Sequence, residues 1–254
     1  MRFEHKVALI TGGTSGIGLA AAQLFAQEGA RVVLMARDPA RGQAAAAQIT
    51  AAGGKALFTA GDVGLAADCE RCVAAAMDAH GRLDILFNNA GVIHVNRSVV
   101  ETSEEEWDAT LNSNLKSIFL MSRAAIPQIV KSGGGTIINN ASIFGLVGGS
   151  GVAAYCAAKG GVITLTKAMA LDHAAQNIRV NCICPGSVNT PMLESEMNDL
   201  GGVEVQLPQF ASRHPLNRIA SPQEIAQSVA YLASDAASFI TGIALPVDGG
   251  RSAW

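Results

Sequence analysis

Charge is scarce in this chain. Asp, Glu, Lys and Arg make up 15% of its 254 residues, and aromatic residues only 5%. A net charge of -3 provides no basic surface for nucleic acid. No apolar run approaches the roughly 18 residues a bilayer span requires, so no membrane partner is expected. Cysteines number five (Cys69, Cys72, Cys156, Cys182 and Cys184), and an odd count argues against a disulfide framework. Cys69 and Cys72 stand at C-x-x-C spacing, but no second Cys or His pair completes a zinc site. They fall in a helical pattern with Val73 and Ala76 and read as small packing residues. The five histidines show no ligand spacing either, so no metal is expected. Met1–His5 runs straight into a strand pattern, which makes a cytoplasmic protein without a cleaved leader the expectation.

What is abundant is apolar: 49% of residues are hydrophobic. Short apolar runs recur at Lys6–Thr11, Arg31–Ala36, Lys55–Ala60, Leu83–Asn88, Gly135–Ala141, Ile178–Cys184 and Ile243–Val247. Most are continuously apolar, as parallel strands covered on both faces are. Helical patterns fill the gaps at Gly18–Gln27, Pro39–Ala52, Ala66–His80, Glu104–Val130, Ala154–Ala175 and Pro222–Ala233. Ser221-Pro222-Gln223-Glu224 and Ser103–Glu106 supply capping-box starts. The acidic run Glu104–Glu106 is therefore read as a helix first turn. Alternating strand and helix without repeat or linker predicts α/β: a single doubly wound Rossmann-type domain over 1–254. Its sheet would be mostly parallel and seven-stranded, with helices on both faces.

The first strand leads into Thr11-Gly12-Gly13-Thr14-Ser15-Gly16-Ile17-Gly18, which opens a helix. Glycines at 12, 16 and 18 let backbone approach a pyrophosphate at a helix N-terminus. The second strand ends at Ala36, without the carboxylate that usually accepts the ribose hydroxyls of NAD. Arg37 follows and can pair with a 2′-phosphate, so NADP(H) is the favoured cofactor. Asp38 can reach the ribose instead, and NAD(H) stays as the alternative. Asp62 and Val63 after the third strand, and Asn88-Asn89-Ala90-Gly91 closing the fourth, lie at carboxyl ends where open sheets bind ligands. They are expected to contact adenine and ribose.

Tyr155 and Lys159 stand four apart, which on a helix places phenol and ammonium on one face, about 5–6 Å apart at Cβ. The cation is expected to lower the phenol's pKa. Ser142 follows the fifth strand on the same rim as the cofactor loops. The segment Pro191–Pro215 carries Met192, Leu193, Met197, Leu207 and Phe210 beside Gly201-Gly202. It is read as a substrate lid around 191–215. Ile143, Phe144 and Leu146 would add an apolar wall, and His94 can reach the substrate mouth, although a surface-loop position is the favoured reading for it. Ser142, Phe144, His94 and Met192 are the expected contacts of a medium-sized, largely apolar or weakly polar substrate.

The Thr11–Gly18 loop, Asn88–Gly91, Asn114, Ser142, Tyr155 with Lys159, Pro185-Gly186 and Val247–Gly250 occur in the order and spacing of the short-chain dehydrogenases/reductases. The chain resembles that family over nearly its whole length, most of all the 3-oxoacyl-carrier-protein reductase-like branch and the sugar or steroid dehydrogenases. The resemblance implies that Tyr155 donates or accepts the proton, that Ser142 holds the reacting oxygen, and that Lys159 binds the nicotinamide ribose. Asn114 would hold a water leading from Lys159 to solvent. Pro185, Gly186, Val188 and Thr190 would border the nicotinamide, whose hydride makes a metal unnecessary. Cys182 and Cys184 stand where relatives often carry Ala, and are read as packing. The implied activity is hydride transfer between NADP(H) and an alcohol or carbonyl compound. The alternatives are an NAD-dependent polyol, sugar or steroid dehydrogenase and a non-catalytic dinucleotide sensor, which would lack the Tyr or Lys. A homotetramer is implied too, with Glu104–Val130 and Ala154–Ala175 forming one interface.

Overall fold

The structure, a computed structural model, describes residues 1–253. Within the first strand, β1 (Val7–Thr11), alternate side chains enter two different cores. Ala8 and Ile10 join one cluster with Val32, Leu34, Ile85 and Phe87. Val7 and Leu9 join the other with Val33, Met35 and Leu86. Every residue of β1 is buried, so each face removes its own apolar set from water at about 25 cal/mol per Å². A strand apolar on both faces needs helices on both sides, and the chain supplies them.

Six more strands complete the sheet: β2 (Arg31–Ala36), β3 (Lys55–Ala60), β4 (Ile85–Asn88), β5 (Gly135–Asn140), β6 (Ile178–Pro185) and β7 (Ala244–Val247). Their order is β3-β2-β1-β4-β5-β6-β7. Every pairing is parallel, so the expected mostly parallel sheet is parallel throughout. On one face α1 (Gly16–Gln27) packs with α9 (Pro222–Ala233), and Phe25 and Val229 are fully buried there. On the other lie α3 (Ala66–His80), α5 (Ser117–Lys131) and α6 (Ala153–His173), which contribute Cys72, Met121 and Met169. Cys69 and Cys72 are buried on α3, as read, and desolvation raises their thiols to about 11 and about 12.

Strand order reverses between β1 and β4, which opens a crevice at their carboxyl ends. The remaining helices frame it. The single helix expected over Glu104–Val130 is instead α4 (Glu104–Leu111), a π turn (Asn112–Lys116) and α5. The lid segment, to which no secondary structure is assigned from sequence, forms α7 (Pro191–Asp199) and α8 (Val203–Ser212). Thr190 caps α7 by accepting from the Leu193 N–H at 3.3 Å, with Pro191 in the first turn. Gly201 and Gly202, both at positive φ, separate the two helices. A short apolar cluster of Leu193, Met197 and Phe210 holds them together. Among the described residues no helix is long and apolar enough to cross a membrane.

Candidate active site

The rim of the crevice is tied together by side chains from three strands. Thr11 Oγ1, at the end of β1, accepts from the Asn89 and Ala90 N–H groups at 2.9 and 3.1 Å. Asn89 Nδ2 donates back to the Thr11 and Gly12 carbonyls at 3.1 and 3.2 Å. Its Oδ1 accepts from Asn140 Nδ2 at 3.0 Å. The Asn140 carbonyl in turn accepts from Lys159 Nζ at 2.7 Å. One hydrogen-bonded chain thus runs from the glycine loop to the lysine. Asn89, expected as an adenine or ribose contact, spends its side chain on this brace, and Asn140 did not stand out in the sequence as a functional residue.

At the start of α1, Ser15 makes no side-chain cap bond and the first turn holds no carboxylate. The first N–H groups therefore lack a protein capping partner, an arrangement suited to an anion at a positive helix end. Gly16 sits at φ 51°, and a Cβ there would lie 3.0 Å from Thr190 Cγ2. A side chain would close the space between the loop and the start of α7. These features fit the pyrophosphate of a dinucleotide. A hollow of about 240 Å³ continues from the loop, bordered by Gly12, Thr14, Arg37, Asp62, Val63, Ala90 and Gly91, all expected cofactor contacts. Arg41 and Asp38 line it as well. Asp38 caps α2 (Pro39–Ala51), accepting from the Ala40 and Arg41 N–H groups at 2.9 and 3.1 Å.

Asn88 departs from expectation. Strand alternation turns its side chain inward, where Nδ2 donates to Ser122 Oγ at 3.2 Å and Asn139 Oδ1 at 2.9 Å. It is a buried structural amide, and its side chain does not face the crevice.

The other half of the crevice is a cleft of about 110 Å³. Ile17, Ser142, Phe144, Tyr155, Pro185, Gly186, Val188, Thr190 and Met192 line it as expected. Ile143 joins Phe144 in the apolar wall, whereas Leu146 is 40% exposed and stands apart. His94 is also elsewhere: it is exposed, in a shallow dent on the far side of Tyr155. Its neighbour Ile93 enters the cleft instead. Four further lining residues, Leu193, Glu196, Phe210 and Arg251, come from the lid helices and the C-terminal turn. A larger hollow of about 670 Å³ lies at the opposite rim, among Met1, Gln23, Arg31, Ile49 and Lys55, and contains none of these groups.

Tyr155 and Lys159 lie one turn apart on α6, with Lys159 Nζ 5.4 Å from the phenol ring centroid. Phe144 meets the same ring edge-on at 6.5 Å. Ser142 Oγ accepts from the Phe144 N–H at 3.2 Å, so the serine's own proton remains available to donate. Its contact with Tyr155 favours phenolate, but burial is the larger effect and raises the phenol's pKa. The lowered value expected from the neighbouring cation is therefore corrected. Burial also lowers the Lys159 ammonium to about 8.

Asn114 is fully buried in the π turn. Its Nδ2 donates to the Val92 and Thr110 carbonyls at 2.9 Å each, and its Oδ1 accepts from the Val92 N–H at 3.2 Å. Gly91 passes close by: a Cβ there would be 2.5 Å from Asn114 Oδ1 and 3.7 Å from Lys159 Nζ. Glycine thus leaves room between the amide and the lysine. His214, which the sequence did not single out, bonds through both ring nitrogens. Nε2 accepts from the Ser187 N–H at 3.1 Å, and Nδ1 pairs with the Phe210 carbonyl at 2.8 Å, which requires the neutral Nδ1–H tautomer. Burial lowers its pKa and favours that form. It pins α8 to the loop after β6.

A family model described as enoyl-(acyl carrier protein) reductase matches residues 12–252. The chain belongs to the short-chain dehydrogenases/reductases. This family uses a nicotinamide dinucleotide. Among curated relatives, the 2,5-dichloro-2,5-cyclohexadiene-1,4-diol dehydrogenase LinX of Sphingobium indicum is 44% identical over 251 residues, 99% of this chain and 98% of the relative. The cyclohexanol dehydrogenase of an Acinetobacter species is 40% identical over 248 residues, 98% of this chain and 95% of the relative. The crystal structure of gox2181 superimposes with a TM-score of 0.94 at 29% identity, covering 100% of this chain and 98% of that one. As a short-chain dehydrogenase/reductase, the chain has its serine, tyrosine and lysine converging on one rim beside an uncapped helix start.

Proposed function

We propose that this protein is an NADP(H)-linked dehydrogenase that interconverts a secondary alcohol, open-chain or cyclic, with its ketone. The observation that carries the proposal is the meeting of Ser142, Tyr155 and Lys159 at the narrow cleft where the cofactor loops end. The curated relatives named above act, by their names, on cyclic alcohols or diols, which supports a ring-sized substrate.

When bound, the dinucleotide supplies or accepts the hydride. The chain's own residues manage the proton and the geometry. Tyr155, held as a neutral phenol by burial, gives its proton to the carbonyl oxygen in reduction and takes one back in oxidation. Ser142 donates its free hydroxyl proton to that same oxygen and holds it in place. Lys159 keeps a cation behind the phenol and is anchored to the Asn140 carbonyl. Asn114, through Val92 and Thr110, fixes the wall behind the lysine. The α7–α8 pair acts as the lid.

Three features favour NADP(H). Ala36 ends β2 without a carboxylate, Arg37 and Arg41 both border the adenosine hollow, and Asp38 is engaged in capping α2. Two guanidinium groups suit a 2′-phosphate, which carries about -1.5 to -2 charges. Initial rates with NADPH and NADH at equal concentration test this reading, and NADPH is expected to be faster by about tenfold or more. A preference for NADH would assign Asp38 to the ribose. The Tyr155→Phe variant is expected to lose about a thousandfold or more in kcat while its cofactor affinity stays within about threefold. Retained turnover would remove Tyr155 from the proton step, whereas absence of turnover in the wild type itself would favour the sensor alternative.

A further inference from the structure

Two charged side chains face the substrate cleft without an ion pair among the described residues. Glu196, on the inner side of α7, and Arg251, from the C-terminal turn, both line it alongside Phe144 and Tyr155. The Arg251 guanidinium lies over the Phe144 ring, 5.2 Å from its centroid. Its one hydrogen bond among the described residues is a long one, from Nη1 to Ser187 Oγ at 3.4 Å. Glu196 has neither ion pair nor hydrogen bond among the described residues. Arg213 and then Arg251 act on Glu196, and Arg213, Glu196 and Asp248 act on Arg251, yet none of them closes to ion-pair distance. Both are partly buried, and desolvation raises the carboxyl's pKa. A carboxylate and a guanidinium held apart in a half-dry cleft leave a gap whose chemistry is defined. It needs a group that accepts from Arg251 and donates to Glu196. A ketone can only accept, an ammonium is repelled by Arg251 and Arg213, and a carboxylate can pair with the guanidinium but offers Glu196 no donor. A hydroxyl does both.

We infer that Glu196 and Arg251 form a specificity site for a second hydroxyl on the substrate, so that the preferred substrates are diols and hydroxyketones. This inference rests on the proposed alcohol–ketone reaction and names its substrate class. It revises the apolar or weakly polar substrate expected from the lid sequence, which took no account of either charge.

The test compares cyclohexanol with 1,2- and 1,4-cyclohexanediol in the wild type and in the variants Glu196→Ala and Arg251→Met. At least one diol is expected to exceed cyclohexanol by about tenfold or more in kcat/KM, mainly through KM. Each variant should shrink that ratio to within about threefold, because one arm of the bridge is gone. A wild-type ratio near one, or a ratio that survives both substitutions, would overturn the inference. Calorimetric titration of the same three alcohols into Tyr155→Phe protein, with oxidised dinucleotide present, separates the two readings. A diol preference in binding with no turnover of any alcohol by the wild type would keep the hydroxyl site and reject the reaction. Turnover of cyclohexanol with no diol preference would do the reverse.

Discussion

Burial acts on Tyr155 and Lys159 in opposite chemical senses, favouring the neutral form of each. A phenol with a raised pKa stays protonated through neutral pH, so in the proposed reaction reduction has its acid ready while oxidation must first lose that proton. Alcohol oxidation is therefore expected to climb as pH rises above neutral, and ketone reduction to hold level and then fall. Paired pH–rate profiles in the two directions check this. Lys159 falls from an ordinary 10.5 to about 8. Between those values the unfolded chain binds more protons than the folded one, so this residue's effect on stability becomes more favourable as pH rises through that window. Below it, the buried cation costs about 3 kcal/mol. Lys159→Met is then expected to raise Tm at pH 7 by about 2 °C or more while abolishing most activity, read by thermal unfolding beside a rate assay. Charged residues of the cleft were the least legible from sequence. Glu196 and Arg251 are far apart in the chain and carry no motif, and only the packing of α7 against the C-terminal turn brings them together. Asn88 misled because Ala90 and Gly91, close by in the chain, do border the crevice, whereas the last residue of β4 turns its side chain into the core.

At the scale of elements, the strands and most helices could be read from apolar runs and caps, because the parallel core imposes a strong pattern. The π turn could not. Its five residues continue a helical pattern, and the irregularity shows only in where the Asn114 amide reaches. That amide joins the α4–α5 junction to the backbone after β4 with two hydrogen bonds to Val92, and a third reaches back to the Thr110 carbonyl in α4. Asn114→Ala would leave all three partners unsatisfied in a dry environment, at an expected cost of about 2–4 kcal/mol, measurable by urea denaturation. The α7 helix carried a usable signal in Thr190-Pro191, a cap followed by proline. The α8 helix was obscured by Pro208 in its interior and by the two glycines before it. His214 escaped notice for a similar reason: its partners Ser187 and Phe210 belong to separate elements.

Seen as a whole molecule, the chain leaves several large apolar side chains in water. Trp107 on α4 is 40% exposed and Phe119 on α5 is 48% exposed. Leu171 on α6 is 83% exposed. These lie on the helices that the family resemblance assigns to an interface, and their exposure supports a proposed homotetramer. Light scattering on the purified protein is expected to give four times the 26.1 kDa chain mass. A monomer would return these surfaces to ordinary solvent.

The ladder from Thr11 through Asn89 and Asn140 to Lys159 gives the molecule one further property. In the proposed reaction, nucleotide grip and proton handling share a single brace, so a slip of β1 against β4 would be expected to disable both at once and leave no half-working intermediate. The lid helices and the C-terminal turn hang outside that brace. Substitutions there are expected to redirect what the proposed enzyme accepts without loosening how it reacts, which gives this scaffold a fixed engine and an exchangeable doorway.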